Sequence, residues 1–155
     1  MSNLVSRRHL IMSIGSTTFL IGSSIPAIAA SQPRKPIVQP PSPDEAAFIK
    51  RAFEMRTLAV ERGDRPYGAV VARDNEIIGQ AGSQVTIDHD PTAHAELLAI
   101  RDAGRRVKDS NLRGAILYSS FRPCPMCEAA AYWAGIGKMI YGQNADDAGA
   151  PALCR

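Results

Sequence analysis

The sequence predicts an α/β domain built on a mixed sheet with helices on both faces. Three observations predict it. Apolar runs short enough for strands alternate with segments of helical spacing, in the order α-β-β-α-β-α-β. The first two runs are joined by Arg73-Asp74-Asn75, a hairpin signal. The later runs are separated by helix-length segments, which right-handed crossovers between strands require.

Taken in order, Ser42-Pro43-Asp44-Glu45 reads as a capping box with Pro at the first helical position, and Gly63 marks a C-terminal stop. Between them Phe48, Ala52, Met55 and Ala59 recur at helical spacing, so the first element is an amphipathic helix. Residues 67–72 and 76–82 form the hairpin strands. Asp90-Pro91 opens a second helix that runs through Leu97, Leu98 and Ile100 to about Gly104. Residues 115–119 read as a third strand, 125–134 as a third helix closed by Gly135, and 138–141 as a last strand.

Ahead of this domain the chain carries two further segments. Residues 1–29 have the layout of an export signal: basic Arg7-Arg8, a mildly apolar stretch from 10 to 25, then Ala27-Ile28-Ala29. Ser6-Arg7-Arg8-His9-Leu10-Ile11 resembles a twin-arginine signal, which implies export of a folded protein to the periplasm or beyond. The apolar stretch is broken by Ser, Thr and Gly and lacks about 18 uninterrupted apolar residues, so no stable membrane anchor is expected. Residues 30–43 contain five prolines and read as an extended linker, which leaves 44–155 to build the core.

Composition narrows the function classes. The 155 residues are 45% apolar, 21% charged and 6% aromatic, which fits one globular domain and neither a disordered nor a multi-span chain. The formal net charge is +3, and loss of Arg7 and Arg8 with the signal brings it to +1. A nearly neutral mature chain has no electrostatic case for gripping nucleic acid.

Two segments carry the chemistry, Pro91-Thr92-Ala93-His94-Ala95-Glu96 and Pro123-Cys124-Pro125-Met126-Cys127, each at the start of an expected helix. Cys124 and Cys127 are three apart, so one turn brings both sulfurs to one side, and a helix N-terminus favours the thiolate. His94 and Glu96 are about 200° apart around an ideal helix, so both serve one metal only if it lies off the helix end. His94, Cys124 and Cys127 together offer one nitrogen and two sulfurs, a tetrahedral Zn2+ set with one corner open, as catalytic zinc requires. A water in that corner drops from a pKa of about 15.7 toward about 7. Glu96 is a poor ligand beside two thiolates but suits proton shuttling between that water and a leaving amine. Cys154, next to the chain end, would close the site if it were a fourth ligand. His89 reads as a loop histidine, Tyr132 and Trp133 as core, and Met126 as packing.

These motifs resemble the zinc-dependent cytidine/deoxycytidylate deaminase superfamily, with its H-x-E…P-C-x-x-C signature and its Glu as general acid and base. Residues 66–71, 90–96 and Tyr132-Trp133-Ala134 are similar to its bacterial guanine deaminase and tRNA adenosine deaminase branch, and the likeness spans about 48–142. The resemblance implies a three-layer α/β/α fold, a homodimer, and hydrolytic deamination of a small nucleobase-like substrate, with a guanine-like purine preferred. It also implies that the Ala95 backbone N–H holds a ring acceptor or carbonyl and that Tyr67 lines the pocket. Ser83 stands where such enzymes place a substrate-binding Asn, and a hydroxyl cannot form the same amide pair with a base edge. Relatives continue past the fourth strand, whereas only residues 143–155 follow Gly142 here, so shortened C-terminal elements are expected.

Two other functions fit parts of the pattern. Cys124-Pro125-Met126-Cys127 between a strand and a helix suits an exported thiol-disulfide oxidoreductase, which leaves His94 and Glu96 without a task. A zinc domain without turnover would follow if the short C-terminus left the pocket unwalled.

Overall fold

A computed structural model describes Arg34 and residues 36–153. The expected export segment, the first part of the linker and Cys154 lie outside the described residues. The domain comprises helices α1 (Glu45–Glu61), α2 (Ala95–Val107) and α3 (Pro125–Trp133) with strands β1 (Gly68–Arg73), β2 (Glu76–Gly82), β3 (Ile116–Ser119), β4 (Lys138–Tyr141) and β5 (Asp146–Gly149).

The sheet has the order β2-β1-β3-β4-β5. β1 pairs antiparallel with both β2 and β3, β3 pairs parallel with β4, and β4 antiparallel with β5. Strand side chains alternate between faces, and here both faces are covered. Val70, Ala72, Tyr118 and Ile140 meet Phe48, Ile49 and Ala52 of α1. Ala69, Val71, Leu117 and Met139 meet Ala95, Ala99 and Ala103 of α2 and Ala131 of α3. The layers are therefore α1, sheet, and α2 with α3. Small residues bring the layers close: a Cβ at Gly68 would run into the Ala52 carbonyl and the Arg56 amide of α1. No described helix is long and apolar enough to cross a membrane.

The structure differs from expectation in four places, each with a local cause. Asp44, not Ser42, caps α1: its carboxylate accepts the Ala47 N–H at 2.7 Å, and Pro43 precedes the helix. α2 starts at Ala95 rather than at residue 90. Asp90 accepts the Thr92 N–H at 2.8 Å and its hydroxyl at 2.7 Å, and this Asx turn diverts the backbone before the helix begins. A fifth strand follows β4, from a polar segment without strand propensity; positive φ at Gly142 and Ala145 reverses the chain, and Lys138 pairs with Asp147 across the ladder at 3.1 Å. Finally, the end of the Pro-rich segment lies against the domain. The Gln39 amide accepts from the Ile77 N–H at 2.8 Å and donates to its carbonyl at 2.9 Å, satisfying an edge strand that would otherwise face water.

Candidate metal centre and active site

The late start of α2 makes His94 its N-cap, with extended backbone (φ −67°, ψ 147°) instead of a place inside the helix. Cys124 is likewise the N-cap of α3 (φ −78°, ψ 166°), and Cys127 follows one turn later. Two helix N-termini thus face one point, and the donors gather off the helix ends, as the spacing of His94 and Glu96 demanded.

The distances test the fit to zinc. Tetrahedral zinc with bonds of about 2.3 Å to sulfur and about 2.0–2.1 Å to nitrogen sets S···S near 3.7–3.8 Å and S···N near 3.6 Å. Here the two sulfurs are 3.7 Å apart, and His94 Nδ1 is 3.6 Å from each. These three donors form the one group among the described residues able to hold a metal ion. With both sulfurs committed alongside His94, the CxxC pair is part of a three-donor set rather than a dithiol alone, and thiol-disulfide exchange loses its ground.

Glu96 lies beside this cluster and is 5% exposed. Its Oε1 accepts from the Ser119 hydroxyl at 3.1 Å, and its Oε2 accepts from Cys127 Sγ at 3.7 Å. Burial pushes the Glu96 carboxyl up; its own backbone N–H, Ser119, the nearby His94 charge and Cys127 offset part of the rise. Burial, and then the Glu96 charge, push the Cys127 thiol up as well. A bound cation reverses that pressure, because coordination deprotonates a thiol.

The cluster opens into a cavity of about 180 Å³ lined by Tyr67, Ser83, Val85, His94, Glu96 and Phe121, with Arg65, Arg122 and Cys124 completing the wall. Ala95 is the first residue of α2, so its N–H has no intrahelical acceptor and borders the donor cluster. Tyr67 and Phe121 meet edge to face with ring centroids 5.9 Å apart, and both stay exposed, at 37% and 62%. Ser83 is buried, and its hydroxyl accepts the Val85 N–H at 3.5 Å.

Ser119, Asp64 and Phe121 escaped the sequence reading. Ser119 ends an apolar strand just ahead of the cysteines, which is a weak signal; Asp64 and Phe121 acquire meaning only from tertiary contacts. His89 is exposed, has a left-handed backbone (φ 51°), and is not among the metal donors. Trp133 and Tyr132 are surface residues, Trp133 75% exposed, because α3 turns Cys127 and Ala131 inward instead.

Comparison with known proteins agrees with this geometry. Residues 42–143 match the family described as the cytidine and deoxycytidylate deaminase zinc-binding region. The chain is 42% identical over 102 residues to a guanine deaminase of Bacillus subtilis, covering 65% of each chain. It is also 42% identical over 94 residues to a tRNA-specific adenosine deaminase of Aquifex aeolicus, covering 61% of this chain and 62% of that one. The matched part therefore spans a little under two thirds of either relative. Among solved structures, the B. subtilis guanine deaminase superposes with a TM-score of 0.62 at 41% identity, over 64% of both chains. A tRNA:A34 deaminase superposes with a TM-score of 0.59 at 38% identity, over 61% of this chain and 69% of that one.

Proposed function

The chain belongs to the cytidine and deoxycytidylate deaminase zinc-binding family, and from that premise we propose that it hydrolyses the exocyclic amine of a free nucleobase or related heterocycle, a guanine-like purine preferred. The observation that carries this reading is a zinc-spaced His94-Cys124-Cys127 set with the buried Glu96 carboxylate beside it, at the base of a small cavity. Guanine deaminase and tRNA-specific adenosine deaminase relatives are equally identical, so the preference for a free base rests on two other supports. The cavity, about 180 Å³, falls below the roughly 300–1,000 Å³ of sites for drug-sized ligands. The expected export of the chain to the periplasm or beyond would separate it from tRNA, and its near-neutral mature charge suits a small substrate.

Each protein group has a definable task. Zinc held by His94, Cys124 and Cys127 would supply a water of lowered pKa. Coordination would leave Cys127 a thiolate with no proton to give, so Glu96 Oε2 is the group placed to accept a proton from water. Ser119 keeps Oε1 in place. Burial raises the Glu96 carboxyl, which favours its holding that proton and passing it to the departing amine. The Ala95 N–H holds a ring acceptor or carbonyl, while Tyr67 and Phe121 flank the ring plane. The exposed Trp133 and Tyr132 offer an apolar patch for the expected homodimer.

Zinc analysis of the purified chain, with ammonia release across purines, pyrimidines, nucleosides and pterins, tests the proposal. About one zinc per chain with turnover of a free base supports it. Zinc without turnover on any aminated ring makes the chain an inert zinc domain.

A further inference from the structure

Asp64 is buried where α1 ends. Gly63 (φ 83°) donates to the Val60 carbonyl at 2.9 Å and Asp64 to the Ala59 carbonyl at 2.9 Å, a Schellman closure that turns the carboxylate under the 83–88 loop. Oδ1 accepts the Arg65 N–H at 2.7 Å, and Oδ2 accepts the Thr86 and Ile87 N–H groups at 2.9 and 3.0 Å. One carboxylate thus joins two stretches far apart in sequence, and both wall the cavity beside the donor cluster: Arg65 and Tyr67 on the first, Ser83 and Val85 on the second.

The second stretch belongs to no helix or strand. Its base is held by backbone, the Ser83 N–H donating to the Tyr67 carbonyl at 3.0 Å and the Gln84 N–H to the Ala93 carbonyl at 3.1 Å, next to His94. Beyond Val85 apolar burial gives little support, because Thr86, Ile87, Asp88 and His89 are all exposed. The Asp88 N–H returns to the Gln84 carbonyl at 2.9 Å and closes the turn on itself. The pair of bonds from Thr86 and Ile87 ties that turn to the end of α1. An ionised carboxylate only accepts, so it suits three donors, and its bonds are stronger than those to a neutral acceptor.

The bonds to Asp64 bear on what the cavity admits. It holds about 180 Å³, and a ribose nearly doubles the bulk of a base. A ribosyl substrate enters only if a wall gives way, and moving the 83–88 wall breaks the bonds from Thr86 and Ile87.

We propose that Asp64 is the latch that keeps the cavity at base size: by holding the Thr86 and Ile87 N–H groups it fixes the Val85 wall and excludes the nucleoside of a base that enters free. The proposal rests on the deaminase reading of the same cavity and names its substrate class, free aminated bases as against their ribosides. Asp64 is a positioning residue, since it acts through the loop.

The test compares probes that differ by the ribose alone. Hypoxanthine and inosine carry no exocyclic amine, so equilibrium binding to the zinc-loaded chain reads size selection without turnover. Guanine and guanosine carry the same amine, and their kcat/KM ratio reads the same selection during reaction. Wild type is expected to favour the free base about tenfold or more, the scale of one hydrogen bond to a charged group. Asp64→Asn turns an amide donor toward backbone donors, and the ratio is expected to fall toward equality with zinc content unchanged. Ile87→Pro deletes one loop donor on the exposed turn, leaves the α1 closure intact, and is expected to lower the ratio in the same direction. A purely structural Asp64 would weaken base and nucleoside alike and leave their ratio where it was. Equal binding of hypoxanthine and inosine by wild type, or an unchanged ratio in Ile87→Pro, overturns the proposal even if Asp64→Asn does not fold. Size selection that the variants relax, with no ammonia from any amine, keeps this inference and removes the deaminase reading.

Discussion

The Ser119 hydroxyl donates to Glu96 Oε1 at 3.1 Å and accepts the Phe121 N–H at 3.4 Å, tying the buried carboxylate to the turn that precedes the two cysteines. Nothing but the end of β3 places Ser119 there, so the sheet itself orients the proton carrier. Ser119→Ala removes that donor while leaving the metal donors untouched. Ammonia release is expected to fall about tenfold in kcat, the scale of one hydrogen bond to a charged group, with zinc content unchanged; Ser119→Thr restores most of it. Steady-state kinetics beside metal analysis checks this, and a loss of zinc in Ser119→Ala would contradict it.

Metal removal should loosen the domain as well as silence it. α2 and α3 both begin at the donor cluster, so a bound cation would tie the two helix starts together. Zinc at a thousand times its dissociation constant stabilises the folded chain by about 4 kcal/mol, so a strong chelator is expected to lower Tm by about 10 °C or more. Thermal unfolding with and without chelator, followed by zinc add-back, measures it; an unchanged Tm would speak against zinc in the site.

Acid stability should report Asp64. Its carboxyl ordinarily titrates near 3.8 and is held at about 2 in the fold, so its contribution is fully present above pH 4 and lost as pH falls from 4 through 2. The difference amounts to about 2 kcal/mol. Denaturant unfolding of Asp64→Asn and wild type at pH 7 and pH 2.5 is expected to show a gap at neutral pH that narrows in acid. A gap that widened in acid would reverse the sign.

Close packing of α1 on β1 leaves no room at Gly68, where a Cβ would meet helix backbone rather than a movable side chain. Gly68→Ala is expected to cost about 3 kcal/mol or more, or to prevent folding. Soluble yield and unfolding midpoint check it, with Gly63→Ala, which meets no neighbouring atom, as a comparison for backbone strain alone.

The central strands and the metal donors were legible in the sequence because each rests on local information. β1, β3 and β4 are apolar runs, and Cys124 and Cys127 stand at a helix start that Pro125 marks. Boundaries that depend on side-chain capping were less legible. Asp90-Pro91 has the composition of a helix start, yet Asp90 spends its carboxylate on Thr92 and the helix waits until Ala95. β5 has no strand composition at all and forms because a turn delivers it to β4. Gln39, Asp64 and Ser119 lie 38, 22 and 23 positions from the groups they bind, Ile77, Thr86 and Glu96, and no local pattern announces such pairs.

The most direct test of the account is Glu96→Ala, assayed for zinc and for ammonia on the same preparation, with the best substrate of the wild type. Because Glu96 is beside the donors and not one of them, the variant is expected to keep about one zinc per chain and to lose ammonia release by a factor of at least about 10²–10⁴, the range supplied by a general acid and base. Full zinc with ammonia release at the wild-type rate would contradict it.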